Sequence, residues 1–411
     1  MVSLASLPRP ASSRIAVRVT PDALRRVRGD HPWVYAESIL SHSREGVAGD
    51  LAVVFDPDRN FAAIGLWDPA SPIRLKVLHH GRPVTIDRAF WAGRLRTALA
   101  RRAALRADGR TTGYRVVNGE NDGFPGLVLD AYDRTLVLKL YSAAWVPHLA
   151  DVVGAVEELL HPEAIILRHA RSLTTADLHG LEEGDALVGI CPDEPVLFQE
   201  HGLTFEADVV RGQKTGHFLD QRENRVWAAE LAEGAQVLDV FASTGGFTVH
   251  CAAGGASEIT SVDLSGPTLA VTSRNLAHNG DLPAVAACTY HPAQGDSFET
   301  MEGMARRKQR FDLVIVDPPS FAQRQINVPK ALEAYARLTT LAVALVRPGG
   351  VLVQCSCSSR VTAEQFHTSV ARAAAKAGRP LEEFRRTGHP VDHPVSFPEG
   401  NYLKAVFAHV P

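Results

Sequence analysis

From about Leu203 to the C-terminus, short apolar runs alternate with stretches of helical spacing. The runs cover residues 236–241, 258–263, 311–316 and 350–355. The helical stretches begin at Thr248 and cover 267–279, 330–345 and 362–378. Antiparallel neighbours can be joined by a tight turn, whereas parallel neighbours need a crossover of roughly a dozen residues or more, usually a helix. The alternation therefore predicts a doubly wound, largely parallel sheet. Ligands in such sheets bind beyond the carboxyl ends of the strands, which directs attention to the polar residues that end each apolar run.

The chain before this region reads differently. In residues 14–82, strands at 50–55, 61–67 and 74–79 are punctuated by turns such as Asp56-Pro57-Asp58-Arg59-Asn60. Short strands with Gly, Pro and Asp between them suggest a small β-barrel. A short basic helix starts at Pro21 and carries Arg25, Arg26 and Arg28. Trp33 and Tyr35 follow it, either to stack on bases or to close the barrel core. Residues 86–195 hold a helix at 89–106, a strand pair at 127–132 and 135–141 around Asp133-Arg134, a helix at 145–160, and strands at 164–168 and 186–191. They read as a compact α+β insert without catalytic features. The expected division is 1–84, 85–200 and 201–411.

Charge follows this division. Residues 1–110 hold 18 Lys and Arg against 10 Asp and Glu, while residues 111–411 hold 25 against 36. A basic module on an acidic body is suited to meeting a polyanion. Of the basic residues 36 are Arg and 7 are Lys, and Arg suits bidentate phosphate contacts. With 45% hydrophobic and 22% charged residues, a disordered chain is excluded. No apolar run approaches the roughly 18–20 residues of a membrane helix, and Met1 to Ser13 lack the pattern of a secretory signal. The five cysteines, at 191, 251, 288, 355 and 357, form no CxxC pair. Neither a disulfide framework nor a metal site is expected, and a reducing cytoplasm is the natural compartment.

Asp239-Val240-Phe241-Ala242-Ser243-Thr244-Gly245-Gly246 leaves a strand, turns on glycine and starts a helix. It is not GxGxxG, so a dinucleotide is the weaker reading. Asp263 ends the next strand and can accept hydrogen bonds from both hydroxyls of a ribose. Asp296, before Ser297, is placed to reach an adenine amino group, and Asp317 opens Asp317-Pro318-Pro319-Ser320-Phe321. Each acid alone could be a turn or cap residue. Four acids at successive strand ends suit a cationic nucleoside, and S-adenosylmethionine (SAM) is one. Phe241, Ser243, Gly245, Leu264 and Ser297 complete the expected cofactor set.

These motifs, with Thr215-Gly216-His217-Phe218-Leu219-Asp220-Gln221-Arg222, Cys355-Ser356-Cys357-Ser358 and Phe397-Pro398-Glu399-Gly400-Asn401-Tyr402-Leu403-Lys404, resemble the class I SAM-dependent RNA methyltransferases of the RlmI type. The resemblance covers nearly the whole chain. It implies an N-terminal PUA-like β-barrel, a central small α+β domain and a C-terminal Rossmann-like doubly wound methyltransferase domain. It implies 5-methylcytosine as product and large-subunit ribosomal RNA as partner, without a membrane. A homodimer is left open. Gln221 and Arg222 would hold the methionine end of SAM, where a guanidinium can pair with its carboxylate.

C5 of cytosine is a poor nucleophile until a thiolate adds to C6, so the reaction requires a covalent nucleophile. The family pattern puts it at Cys357. Cys355, two residues earlier, points to the same side at strand spacing, so the choice rests on the resemblance. Asp317 can hydrogen-bond the N3/N4 edge of a flipped cytosine. Pro318 and Pro319 fix its loop, and Pro318, Pro319 and Phe321 are expected to contact the substrate. With Ser320 and Phe321 in that loop, no second cysteine is supplied there, and the proton-removing base is unassigned. Three other readings stand beside this one. One is methylation of guanine N7 or an exocyclic amine without covalent catalysis. Another is a non-catalytic RNA-binding module that keeps the fold. The last is an NAD-dependent oxidoreductase, which lacks its glycine triplet.

Overall fold

Strand β1 (Ile15–Val19) reads Ile-Ala-Val-Arg-Val, with its residues alternately buried and exposed. That period of two marks a strand with one face to a core. It joins β2 (Trp33–Val34), β3 (Ile39–His42), β4 (Leu51–Phe55), β5 (Phe61–Trp67) and β6 (Leu75–His80) in a sheet of order β2-β6-β5-β4-β1-β3. β1 and β4 are parallel and the other pairs antiparallel. Between β1 and β2, helix α1 (Pro21–Arg28) starts where Thr20 accepts the Ala23 N–H, with Pro21 in its first turn, where the missing N–H costs nothing. A computed structural model describes residues 4–212, 215–322 and 324–411.

The chain forms two units. The first comprises Met1–Gln199, Ala207–His217 and Val391–Phe397, and the second Glu200–Glu206, Phe218–Pro390 and Pro398–Pro411. Besides the six-stranded sheet, the first unit holds helices α2 (Arg88–Arg101), α3 (Ala103–Ala107) and α4 (Leu149–Leu160). Its second sheet is built from β7 (Gly113–Asn118), β8 (Leu127–Tyr132), β9 (Thr135–Leu140), β10 (Ala164–His169) and β11 (Ala186–Val188), in the order β11-β10-β9-β8-β7. β9 and β10 are parallel because α4 carries the chain across. Trp91, Phe124 and Trp145 share one core with Leu66 and Leu78 of the first sheet. The buried Arg102 reaches the Asp392 carbonyl at 2.7 Å and the Arg115 N–H reaches the Asp392 carboxylate at 2.9 Å. These bonds fix residues 391–397 in this unit.

The chain passes between units at β12 (Val196–Glu200) and β13 (Leu203–Ala207). The second unit then builds β14 (Gln236–Val240), β15 (Glu258–Asp263), β16 (Thr289–Gln294), β17 (Phe311–Val316), β18 (Val346–Ser356), β19 (Glu382–Thr387) and β20 (Lys404–Val410). Its helices are α5 (Arg222–Ala229), α6 (Gly246–Ala253), α7 (Gly266–His278), α8 (Pro283–Ala287), α9 (Ser297–Arg306), α10 (Val328–Leu345) and α11 (Ala363–Lys376). The sheet order is β16-β15-β14-β17-β18-β20-β19. The first five strands are parallel, and β20 runs antiparallel to both its neighbours. β17 is buried along almost its whole length, as a parallel strand covered on both faces should be. The sequence pattern gives no range for β16 or α9, although it sets Asp296 at a strand end. β16 is an edge strand of mostly exposed residues with Pro292 inside it, which a sheet tolerates only at its border. The strand order reverses between β15-β14 and β14-β17, the switch point where α/β sheets open a binding crevice. No helix among the described residues is long and apolar enough to cross a membrane.

Candidate active site

Five neighbouring parallel strands carry the site candidates in sheet order. Asp296 follows β16, Asp263 ends β15, Asp239 lies one residue before the end of β14, Asp317 follows β17 and Cys357 follows β18.

Asp239 is buried, and one of its oxygens accepts the Thr248 hydroxyl at 2.7 Å. Its other oxygen, Oδ1, is buried without a hydrogen-bond partner. Burial pushes its carboxyl up to about 6, against the pull of the Thr248 hydroxyl. An orphaned carboxylate oxygen at the carboxyl end of the switch-point strand fits a cationic ligand.

The loop after β14 is held in an unusual backbone. Phe241, Ser243 and Gly245 have φ of +66°, +51° and +79°. The left-handed region costs a non-glycine residue about 1 kcal/mol or more, so the neighbouring strand must compensate. It does so by accepting the Phe241 and Ala242 N–H groups at the Val262 carbonyl, at 2.9 and 3.1 Å. Asp263 Oδ2 accepts the Ser243 N–H at 2.9 Å. Gly245 caps α6, and a Cβ there would stand 2.3 Å from the Thr272 methyl. Asp263 Oδ1 also accepts the Ser265 N–H at 2.9 Å, so the acid expected at the ribose also shapes the loop. Beside it Leu264 is a large apolar side chain left 71% exposed. Asp296 is the N-cap of α9, accepting the Glu299 N–H at 3.1 Å, and Ser297 is buried in the first turn.

On the other side of the switch point, Gln221 donates to Asp317 Oδ1 at 2.8 Å. Arg222 is fully buried, with Nε 3.2 Å from Glu223. Pro318 is buried and Pro319 exposed, and Cys357 Sγ lies 3.8 Å from the Pro318 carbonyl. The two cysteines separate here. Cys355 is completely buried inside β18, where burial pushes its thiol well up. Cys357 lies beyond the last strand residue and is half-buried. Cys251 is buried, Cys191 and Cys288 are half-buried, and all five are free thiols.

Residues without an assigned role in the sequence reading complete this end. Ser356 donates to the Tyr335 hydroxyl at 2.8 Å, and that hydroxyl lies 2.8 Å from Ser358 Oγ. Ser358 Oγ in turn accepts the Phe321 N–H at 3.1 Å. The two serines flanking Cys357 thus tie it to the Asp317–Phe321 loop. Lys404, at the start of β20, is 3% exposed and donates to the Ser358 and Val361 carbonyls at 2.7 Å each. Its signals in the sequence were its place at the end of the Phe397–Lys404 motif and a lysine opening an apolar strand.

In the first unit, Arg25 and Arg26 pair with Asp22 and Arg28 with Asp56, all three arginines largely exposed. Such exposed pairs contribute about 0–1 kcal/mol. Trp33 meets Phe397 edge-on at 5.0 Å and donates its indole N–H to Glu120 at 2.9 Å.

Comparison with known proteins bears on the family and the fold. Residues 134–407 match the S-adenosylmethionine-dependent methyltransferase family, and residues 17–80 match the PUA-like domain. A ribosomal RNA large subunit methyltransferase of Deinococcus radiodurans is 46% identical over 98% of this chain and 99% of its own. The ribosomal RNA large subunit methyltransferase I of Alteromonas mediterranea is 32% identical over 96% and 98%. Among solved structures, SMU.776, crystallised as a complex with SAH, superposes with a TM-score of 0.82 at 20% identity, covering 96% of this chain and 100% of that one. It shares the fold. With the fold, the resemblance of its motifs and these relatives in agreement, the chain belongs to the SAM-dependent methyltransferases of the ribosomal RNA large subunit methyltransferase I family.

Proposed function

We propose that this protein methylates C5 of a cytosine in large-subunit ribosomal RNA through a covalent adduct between Cys357 and C6. The observation that carries the reading is the half-buried thiol of Cys357 beyond β18, 3.8 Å from the carbonyl of Pro318 in the Asp317–Phe321 loop. The names of the relatives support ribosomal RNA as substrate, and the basic segment with its PUA-like match supports residues 1–84 as the docking part.

On this reading Asp239, Asp263 and Asp296 face the cofactor, with Phe241, Ser243, Gly245, Leu264, Ser297, Gln221 and Arg222 around it. SAM, when bound, supplies an electrophilic methyl group on a sulfonium. Cys357 forms the S–C6 bond, and the C5=C6 pair moves to C5, which becomes enamine-like. After methylation the C5 proton leaves to a base, the double bond re-forms and the thiolate is expelled. Asp317 accepts the N4 amino hydrogen of the flipped base and is itself oriented by Gln221. Pro318, Pro319 and Phe321 shape the base pocket.

The test uses RNA carrying 5-fluorocytosine. Fluorine cannot leave C5 as a proton, so the wild type should accumulate a covalent RNA adduct on a denaturing gel. Cys357→Ala should form none and transfer no methyl group while still binding SAM. Cys355→Ala should keep most activity. An adduct that is lost only in Cys355→Ala would move the nucleophile. Full activity in both single variants and the double variant would leave methylation at guanine N7 or an exocyclic amine.

A further inference from the structure

A free thiol has a pKa of about 8.5 and needs help to be ionised at neutral pH. Two of the groups around Cys357 work against it. The Pro318 carbonyl can accept a hydrogen bond from the thiol but not from a thiolate, and a contact of that kind favours the neutral form. Asp317, on the loop after β17, is an anion near both Cys355 and Tyr335 and repels negative charge there.

Lys404 supplies the opposite sign. The β18–β20 pairing sets it directly opposite Ser356, one residue before Cys357. Its ammonium is fixed by the carbonyls of Ser358 and Val361, at 2.7 Å each, on the turn that begins at Cys357. Among the described residues it has no carboxylate partner. A buried cation without an anion is costly unless something nearby returns the charge. Burial pulls the Lys404 ammonium down to about 8, and Cys357 is the group that opposes this.

We propose that Lys404 is the cation that holds Cys357 as a thiolate, a positioning residue that acts on the reaction only through the sulfur. The inference rests on the reading of Cys357 as nucleophile. On ionisation the S–H bond breaks, the sulfur keeps the electron pair, the proton passes to water and Lys404 stays protonated. The titratable groups around this pair are Asp317 after β17, Tyr335 on α10, Cys355 on β18 and, facing Lys404, His367 on α11. Two carbonyl contacts also mean that Lys404 orders the turn, so a test must separate charge from packing.

The test is the pH dependence of iodoacetamide alkylation of the full chain without SAM, read at each cysteine by peptide mass spectrometry. In the wild type Cys357 should titrate below the ordinary value of about 8.5. Lys404→Arg keeps the charge and should keep that midpoint. Lys404→Met, similar in length and uncharged, should raise it, slowing alkylation of Cys357 at pH 7 by about tenfold or more. Cys288 serves as internal control and should titrate alike in all three. A wild-type midpoint at or above about 8.5 overturns the proposal without any variant, as does an unchanged midpoint in Lys404→Met. If the Met variant does not fold, the wild-type midpoint and the Arg variant still decide. Methyl transfer surviving in Cys357→Ala would sink the cytosine reading alone, because the alkylation midpoint reports the Lys404–Cys357 coupling whatever the reaction.

Discussion

Replacing Asp239 by Asn should remove a pH-dependent strain from the protein and, with it, the pH dependence of SAM binding. Burial pushes the Asp239 carboxyl up to about 6, against about 3.9 in an unfolded chain. Between those values the folded state holds a proton that the unfolded state has lost, so stability falls as pH rises and the loss is complete above about 6. At about 1.4 kcal/mol per pH unit, the ionised carboxylate costs the empty site about 3 kcal/mol at pH 8. Roughly half of that develops between pH 5 and pH 8. Asn cannot ionise. Its amide leaves an N–H where Oδ1 had no partner, a constant offset of about 1–3 kcal/mol that does not vary with pH. Urea unfolding of both proteins from pH 5 to 8, without SAM, should show the wild type losing about 1.4 kcal/mol relative to Asp239→Asn. By calorimetry, wild-type SAM affinity should rise about tenfold from pH 5 to pH 7 as the carboxylate ionises. In the variant it should be weaker and flat. Parallel stability curves for the two proteins would refute the burial argument, and a flat wild-type affinity would remove Asp239 from the cofactor site.

Asp263→Ala should lower SAM affinity at least tenfold, from hydrogen bonds to a charged acceptor of about 1.5–3 kcal/mol, and should also release the Ser243 N–H that shapes the loop. Asp263→Asn, which keeps an acceptor oxygen, should lose less in calorimetry, and equal losses would mean that charge alone matters. Arg25, Arg26 and Arg28 together changed to Ala should weaken RNA binding and flatten its log–log salt dependence by about 2–3 in slope, with SAM affinity unchanged. An unaltered slope in a filter-binding series would take the docking role from this face. Point changes are preferable to deleting residues 1–84, because Leu66 and Leu78 belong to the core around Trp91.

What the sequence disclosed follows the range of the forces involved. Strand β17 was legible because burial on both faces leaves the apolar run Leu313–Val316. The positions of Asp263 and Asp317 were legible because each stands where such a run ends, although a turn or cap acid could stand there too. The choice between Cys355 and Cys357 was not, since a period of two puts both on one side. What separates them is the end of β18 at Ser356, a boundary set by pairing with β20. The backbone of Phe241 and Ser243 was equally hidden. Only glycine advertises a positive φ, and here the clamp is Val262 and Asp263, some twenty residues on. The placement of residues 391–397 in the first unit depends on hydrogen bonds from Arg102 and Arg115, to which no local pattern points.

The order of the strands also bears on the chemistry proposed for them. A thiolate close to an electrophilic methyl group is itself a target for alkylation, so a site of this kind must hold its nucleophile away from its cofactor while both reach one base. The sheet places β17 between β14, which carries Asp239, and β18, which leads to Cys357. Asp317, oriented by Gln221, stands at the end of that intervening strand, where the base would lie. The acids occupy the side from β16 to β17, where on the proposed reading they attract a cationic ligand. The buried cation, Lys404, lies on β20 at the far side of β18. On the proposed reading these opposed charges keep the sulfonium and the thiolate on separate strands. The nucleophile is then drawn towards its own lysine rather than towards the methyl group, until a cytosine lies between them.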